Sequence, residues 1–202
     1  MARYLANVGV NAAHAARSPL FPDGSFRVLP IPERQPWAPP MLRLRDLPNL
    51  TPHAPRSWLD RAVHLDPDLD SAVRTYGDNC RRAGRAFSLR RAQPDDLIVF
   101  LARLQGAFHT VGELEIAEVL SDVTEDPGPG WWDANAHVRR ARASGAWDSF
   151  WVFRGSERSG WYPSARPFGR EQADRLFEIV WRPNRSEQQT IGSYTRAVRR
   201  LA

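Results

Sequence analysis

Short apolar runs along the chain predict the strands of a β-sheet. The run Leu97–Leu101 follows a Pro-Asp-Asp turn, and within Phe108–Leu120 the apolar residues Leu114 and Ile116 alternate with glutamates. A strand that buries one face shows this alternation because successive side chains point to opposite sides. Three more strands are predicted, at residues 3–10, 26–31 and 150–153.

Apolar positions at helical spacing predict helices between and after these strands. Arg170–Trp181 carries its apolar residues on one face, and Trp132–Arg142 has a similar pattern. Shorter helices are predicted at Trp58–His64 and Leu69–Arg74, whereas Thr75–Asp78 has the composition of a break between elements.

The order of these elements favours an α+β fold with a mixed, curled β-sheet, because strands occur near both ends of the chain and helices are irregularly interspersed. No G-x-G-x-x-G or Walker-type loop occurs, so a dinucleotide or P-loop class lacks support. We expect a single α+β domain over residues 1–202, with a proline-rich surface excursion at 36–55.

The C-terminal segment combines helical spacing with arginines. Ser186 and Gln189 have capping-box spacing, so a helix is predicted to begin just after Ser186. Its apolar stripe would consist of Ile191, Tyr194, Val198 and Leu201. Arginines beside the free N–H groups of a helix start form an anion site that suits phosphate. The candidate phosphate-binding residues here are Arg182, Asn184, Arg185, Ser186, Gln189, Ser193, Tyr194 and Arg196. A basic, solvated terminal helix explains the same pattern equally well.

Composition and charge narrow the range of partners. All 28 basic residues are arginines, and with 23 acidic residues they give a net charge of +5 and a pI near 10.3. This favours acidic partners such as nucleotides, although the excess is modest for a dedicated duplex binder. Cys80 is the single cysteine, which excludes intramolecular disulfides and cysteine-based zinc sites. No signal segment or long apolar run occurs, so we expect a soluble, cytoplasmic protein without a membrane partner.

The turn from Ser18 to Phe26 contains groups that can contact a nucleotide. Asp23 could contact a ribose or a base edge, and the amides of Gly24 and Ser25 could contact a phosphate. A tight Asp-Gly turn without a ligand is the simpler alternative.

The segment Thr75–Asp78 places an aromatic ring near a carboxylate. Tyr76 could stack on a base, and Asp78 could act as a general base. A helix C-terminus with Gly77 in the left-handed conformation explains the segment more simply.

No metal or cofactor is predicted. The five histidines show no ligand spacing, and Asp66–Asp70 lacks the glycine and the distal glutamate of a calcium loop. That acidic segment is better explained as the start of a helix.

Several segments together resemble one family, the nucleotide modification-associated domains of the third type. They are Ala6–Asn11, Ser18–Phe26 with Ile31–Glu33, Thr75–Asp78, and Trp181–Arg199. The resemblance spans nearly the whole chain. It implies a bacterial or phage protein that is linked to modified bases in DNA.

A second resemblance covers Phe87–Leu120, which is similar to the core of PUA-like domains, including the EVE and ASCH groups. It implies a small β-barrel with flanking helices that holds a flipped or modified base. A turn followed by two paired strands occurs in many sheets, so this resemblance is a fold-level analogy.

The functional hypothesis is a nucleotide-handling protein that binds phosphate through its C-terminal arginines and a base in an aromatic and acidic pocket. The base would stack on Tyr76, Trp131 or Trp132, and the catalytic candidates are Asp23, Glu33 and Asp78. A base-modifying enzyme and a non-catalytic reader of a modified base both fit, and a deep pocket with carboxylates would favour chemistry. A protein-interaction domain without a small ligand is the remaining alternative. The expected partner is a nucleotide or DNA, and the oligomeric state stays open.

Overall fold

The computed structural model describes residues 1–8, 18–37, 41–79, 87–195 and 198–201. The strands are β1 (Arg3–Asn7), β2 (Ile31–Pro32), β3 (Val63–His64), β4 (Thr75–Asp78), β5 (Leu97–Leu104), β6 (Ala107–Val123), β7 (Phe150–Gly155), β8 (Gly160–Pro167) and β9 (Val198–Leu201). The α-helices are α1 (Ala136–Ser144), α2 (Arg170–Leu176) and α3 (Glu187–Tyr194). None of these described helices has the length and apolar character that crossing a membrane requires.

Seven of the strands form one mixed sheet in the order β4-β7-β6-β5-β1-β9, and β8 also pairs with β6. Only β1 and β5 run parallel. The first half of the long strand β6 pairs with β5 and β8, and its second half pairs with β7. The predicted α+β fold with a mixed sheet is therefore confirmed. Within the described ranges the sheet does not close, so the PUA-like barrel is not found.

The β5–β6 hairpin forms the centre of the sheet. Its two-residue turn consists of Gln105 and Gly106, with φ of 48° and 87°, and Leu104 pairs with Ala107 across it. Two successive left-handed residues match the right-handed twist of paired strands, which explains the position of this glycine.

Both faces of the sheet are buried. Along β5, Phe100 packs into one hydrophobic cluster and Leu101 into another. We call the side of Phe100 the front face and the side of Leu101 the back face. The N-terminal turn packs on the front face through Phe26, whereas α2 and α3 pack on the back face through Ala173 and Ile191.

Helix α1 packs against β4 and β7. Asn135 caps it, because its Oδ1 accepts the N–H of His137 at 2.9 Å while its Nδ2 donates to Thr75 Oγ1 at 3.1 Å. Val138 is buried beside Phe150 on the sheet. The cap therefore fixes the start of α1 to the first residue of β4.

Several local predictions are wrong. Thr75–Asp78 is the strand β4 and not a break, and no α-helix forms at residues 58–64 or 69–74. The second strand covers Ile31–Pro32 and not residues 26–31, and α2 ends at Leu176, well before Trp181. Residues 75–78 form a strand because their backbone pairs with β7, which is distant in sequence. The local Tyr-Gly-Asp sequence gives no sign of this pairing.

The terminal helix begins where it is predicted and ends earlier. Helix α3 starts directly after Ser186 and stops at Tyr194. Val198 and Leu201 lie in β9, which pairs antiparallel with β1. Their spacing of three residues is compatible with a helix. The segment is nevertheless a strand, because the unpaired edge of β1 offers backbone hydrogen-bond partners to it.

Residues 41–55 contain two short 3₁₀ turns, at Leu44–Asp46 and Thr51–His53, and Arg43 forms an isolated antiparallel bridge with Ala62. Leu44 is nonetheless fully buried. Leu47 and Leu50 of the same segment lie beside Phe26 and Trp161 on the front face.

Candidate functional site

The C-terminal arginines line a cleft on the back face, which we call the arginine cleft. Arg182 and Arg185 lie beside Ser193 and Tyr194 around a space of about 470 Å³. A second space of about 420 Å³ adjoins it and is lined by Asn184, Arg185, Gln189, Gly192 and Ser193. Helix α3 and the segment before it therefore supply most of the predicted phosphate-binding residues to one surface.

The two arginines of this cleft carry exposed charges. Among the described residues, neither Arg182 nor Arg185 forms an ion pair. By contrast, Arg175 of α2 forms an ion pair, with its Nη2 atom 2.5 Å from Oε1 of Glu171. Two guanidinium groups without carboxylate partners at one cleft suit an anion that accepts several hydrogen bonds, such as phosphate.

The N-terminus of α3 is capped by its own residues. Ser186 Oγ accepts the N–H of Gln189 at 3.2 Å, and Gln189 Oε1 accepts the N–H of Ser186 at 2.9 Å. Glu187 adds a carboxylate in the first turn, where it accepts the N–H of Arg170 at 3.0 Å. These groups already complement the helix end, so an anion here would depend mainly on the guanidinium groups.

A second cleft, of about 480 Å³, lies on the front face and has an aromatic wall. We call it the aromatic cleft. Phe26, Trp161 and Tyr162 line it, with the exposed residues Arg27 and Asp70 beside them. Trp161 contacts Phe26 edge to face, with ring centroids 6.3 Å apart, and its Nε1–H donates to Asp70 Oδ2 at 3.3 Å. A half-buried indole held in this way offers a stacking surface for a base.

Tyr162 contributes a hydroxyl that stays protonated. It donates to Glu113 Oε2 at 2.7 Å, and the guanidinium carbon of Arg166 lies 4.1 Å from the ring centroid. Burial raises the pKa of Tyr162, and the hydrogen bond to Glu113 raises it further. The hydrogen bond therefore holds the ring in place as a neutral phenol.

Asp23 belongs to a turn that is anchored to the front side of β8. Its Oδ1 accepts the hydroxyl of Ser25 at 2.7 Å and the amide of Ser25 at 2.9 Å, and these bonds lower the pKa of Asp23. Gly24 has φ of 82°, and its carbonyl accepts the N–H of Ala165 at 2.9 Å. Asp23 lines neither the aromatic cleft nor the arginine cleft.

Tyr76 and Asp78 lie on β4. The Tyr76 ring is buried, 5.2 Å from Phe100 in an edge contact and 6.4 Å from Phe153 in a stacked one. Its hydroxyl donates to Asp78 Oδ2 at 3.0 Å. Because core rings surround Tyr76, Trp161 is the more accessible surface for a base.

The predicted stacking residues Trp131 and Trp132 pack against each other and against the cluster around Val138. Their rings meet edge to face at 5.4 Å, and Nε1 of Trp132 donates to the carbonyl of Gly128 at 2.9 Å. Neither residue lines the aromatic cleft.

Glu33 forms a carboxylate–imidazole pair with His64. Glu33 Oε1 lies 3.1 Å from Nδ1 of His64 and also accepts a hydrogen bond from Nη2 of Arg140. Burial raises the pKa of Glu33, but the contacts with His64 and the charge of Arg140 outweigh burial and hold the pKa below its usual value. An ionised carboxylate therefore lies beside one nitrogen of the imidazole.

Asp66 forms a second pair of the same kind. Its Oδ2 lies 3.1 Å from Nε2 of His137, and its Oδ1 accepts the N–H of Gly77 at 2.9 Å. A Cβ atom on residue 77 would overlap the His137 ring, so the glycine permits this arrangement. In the part of the chain that the structure describes, no three His, Cys, Asp or Glu side chains are grouped to hold a metal ion.

The predicted site residues separate into two groups. On or beside the front face lie Ser18, Asp23, Gly24, Ser25, Glu33, Tyr76 and Asp78. On the back face lie Arg182, Asn184, Arg185, Ser186, Gln189, Ser193 and Tyr194. Arg196 and Cys80 fall outside the described residues. Neither the aromatic cleft nor the arginine cleft contains members of both groups.

Sequence reasoning missed His64, His137 and Trp161. The partners of the two histidines are Glu33 and Asp66, which are separated from them by 31 and 71 positions, so no local spacing connects the pairs. The one usable signal was the spacing of His64 and Asp66, since residues two apart on an extended segment lie on the same side.

These features define an α+β fold with separate aromatic and arginine-lined clefts. The family model described as nucleotide modification associated domain 3 matches residues 4–196, and the chain belongs to that family. The principal sequence resemblance is thereby confirmed. No curated protein and no solved structure matches the chain. Family membership gives the chain a role associated with nucleotide modification.

Proposed function

We propose that the domain binds a nucleotide with its base in the aromatic cleft. The observation that carries this proposal is the Trp161 indole, which is braced by Phe26 and Asp70 at the wall of a 480 Å³ space. That volume lies in the range of small-ligand sites. Asp70 can accept from an exocyclic amine, and Arg27, which has no described carboxylate partner, can bind the phosphate.

The position of the arginine cleft favours DNA over a free mononucleotide as the natural ligand. Trp161 packs with the front cluster, whereas Ile191 of the arginine-bearing helix packs with the back cluster. A sheet and a helix roughly 10–12 Å in diameter therefore lie between the two clefts. A strand of several nucleotides can pass around the edge of the sheet and place one base in the aromatic cleft and a more distant phosphate against Arg182 and Arg185.

Two observations bear on the alternatives, which are a protein-interaction domain without a small ligand and a non-catalytic reader of a modified base. The described residues of the proline-rich segment 36–55 contribute Leu47 and Leu50 to the aromatic cleft and none to the arginine cleft, so they do not cover the arginines, which favours ligand binding over a pure interaction domain. His64 of the Glu33–His64 pair directly precedes Leu65, which lines the aromatic cleft, and this favours chemistry on a modified or modifiable base over reading alone.

Calorimetric titration with the four deoxynucleoside monophosphates and a single-stranded oligonucleotide tests the base site. Trp161→Ala should weaken binding by roughly 1–3 kcal/mol, the usual contribution of one stacked base, and Trp161→Phe should retain part of it. Trp132→Ala is the matched control, because this tryptophan lies outside the cleft. Equal losses for Trp132→Ala and Trp161→Ala, or no loss for Trp161→Ala, would refute the assignment.

A further inference from the structure

The aromatic cleft shares wall residues with two smaller spaces. One is a narrow cavity of about 10 Å³, which is room for about one water molecule, and it is lined in part by Ser18, His64 and Asp66. The other is a cleft of about 260 Å³, which we call the histidine cleft, between His64 and Arg139. All three spaces share Pro30 and Leu65 in their walls. A substituent of a ligand whose base occupies the aromatic cleft would have to pass these two residues to reach His64.

His64 borders both smaller spaces. Asp66 lies beside it in the narrow cavity, and Arg139 lies across from it in the histidine cleft. Its Nδ1 is enclosed and lies 3.1 Å from Glu33 Oε1, close enough for an ion pair although not aligned as a regular hydrogen bond. Its Nε2 makes no hydrogen bond to any described residue, and the His64 side chain keeps only 7% of its surface exposed. The imidazole therefore has one nitrogen beside a carboxylate, and its ring borders the histidine cleft.

Neighbouring groups hold this arrangement in place. Arg140 binds the same Glu33 oxygen that faces His64, and Trp37 lies against the imidazole with a centroid distance of 4.9 Å. The guanidinium carbon of Arg140 is 5.1 Å from the Trp37 ring. The carboxylate, the imidazole, the indole and the guanidinium thus form one packed group that limits rotation of His64.

We propose that His64 is the proton-transfer residue for the nucleotide that occupies the aromatic cleft. With its proton on Nδ1, the neutral imidazole presents the Nε2 lone pair to the ligand. A hydroxyl or amine of the ligand loses its proton to Nε2, the X–H bond breaks as the N–H bond forms, and the electron pair stays on the ligand atom as a nucleophile. Glu33 stabilises the resulting imidazolium and is a positioning residue. This inference rests on the proposed binding of a base at Trp161.

The second pair, Asp66 with His137, has a different role. His137 lines none of the three spaces, and its Nε2 is directed to a carboxylate that also holds the backbone of Gly77. That pair connects α1 to β4. Of the two described carboxylate–histidine pairs, only Glu33–His64 has a histidine that also lines a cleft, which distinguishes the proposed proton-transfer pair from the structural one.

The test is nuclear magnetic resonance of the full ¹⁵N-labelled chain at neutral pH. Long-range ¹H–¹⁵N spectra should show His64 as the tautomer protonated on Nδ1. Addition of each deoxynucleoside monophosphate, and then of a single-stranded oligonucleotide, should move the Nε2 signal of His64 together with the indole N–H signal of Trp161. His53 lines none of the three spaces and is the internal control, so its signals should stay in place.

The other possible outcomes would contradict either the role of His64 or the base site at Trp161. Movement of Trp161 without His64 removes the proton-transfer role and leaves the base site intact. A His64 protonated on Nε2 in the complex overturns the same role. If neither signal moves with any probe, the proposed function fails and this inference fails with it. Glu33→Gln should change the tautomer ratio of His64 while the Trp161 response persists, whereas a purely structural contact would change both or neither.

Discussion

Gly77 of β4 lies against the imidazole of His137 of α1, so closely that a Cβ atom on residue 77 would overlap the ring. The same Cβ would lie 3.0 Å from Oδ1 of Asn135, the cap of that helix. Strand β4 and helix α1 thus pack so closely here that residue 77 has no room for a side chain beside His137. Asp66 completes the contact by bonding to both.

Gly77→Ala should lower the free energy of unfolding by about 1–3 kcal/mol, the range for an added methyl group in a packed site. The added Cβ must displace His137 or separate β4 from α1, because both neighbours are held by hydrogen bonds. Chemical denaturation monitored by far-ultraviolet circular dichroism measures the change.

Gly160→Ala is the matched control, since a Cβ there meets nothing within 4 Å. Its effect should be much smaller. His137→Ala combined with Gly77→Ala should cost less than the sum of the two single changes, because removal of the ring makes room for the methyl group. Strict additivity would show that the overlap is not the cause.

The region around Gly77 also shows what the sequence could predict. The strongly patterned strands β5, β6 and β7 and the helix α1 were predictable because their apolar spacing is a local signal. Thr75–Asp78 was not, since a glycine and an aspartate beside each other suggest a turn. Its strand conformation comes from pairing with β7, about 75 positions away, and from the fit of His137 against the glycine.

The Glu33–His64–Arg140 contact should make stability depend on pH in the acid range. The folded-state pKa of Glu33 lies below the usual value of 4.5, so its ionised form is stabilised in the folded protein. This contribution is fully present above the unfolded-state pKa and is lost as the pH falls from about 4.5 through the lower folded-state pKa.

Urea unfolding of the wild type and of Glu33→Gln between pH 3 and 7, in steps of roughly half a unit, measures that contribution. The wild type should be the more stable at neutral pH, and the difference should shrink as the pH falls below about 4.5. Asp23 also has a lowered pKa, but it is present in both proteins and its effect cancels in the difference. A difference that stays constant with pH would contradict the assigned ion pair.

The candidate site was less predictable than the fold. Glu33 was identified from the sequence, but His64, which gives it a chemical role, joins it only through the short β2–β3 ribbon. The arginine cleft was predictable in composition, because its residues are consecutive and the Ser186 cap is a local motif. Its position on the opposite face from the N-terminal turn was not, since the burial direction of α3 depends on packing against β6.

Ser186→Ala should destabilise the protein by roughly 0.5–2 kcal/mol, because it removes the side chain that caps α3. It should change ligand binding little, since its hydroxyl is already bonded to the N–H of Gln189. Thermal melting and calorimetry of the same samples separate these effects. Ser193→Ala is a control for stability alone, because Ser193 lines the arginine cleft. Its Oγ donates only to the Thr190 carbonyl among the described residues, and alanine favours a helix. A large loss of binding with unchanged stability would place Ser186 in the anion site.

The decisive change on the back face is Arg185→Ala, since Arg185 borders both spaces of the arginine region and has no ion-pair partner among the described residues. It should leave the melting temperature almost unchanged, because exposed arginines contribute little to stability. It should weaken binding of a single-stranded oligonucleotide of about 12 nucleotides by on the order of 1.5–3 kcal/mol, and Arg185→Lys should restore only part of this.

The pattern across ligands distinguishes the proposed DNA path from a single nucleotide pocket. If the phosphate at Arg185 belongs to a distant nucleotide, Arg185→Ala should leave mononucleotide binding intact while it weakens oligonucleotide binding. The slope of log K against log salt should then fall by about 0.7, the value for one phosphate contact on a single strand. Arg175→Ala removes an equal charge from the paired, exposed Arg175 of α2 and should change neither binding nor slope appreciably. Equal weakening of mononucleotide and oligonucleotide by Arg185→Ala would mean that base and phosphate share one pocket, and the opposite-face assignment would then be wrong.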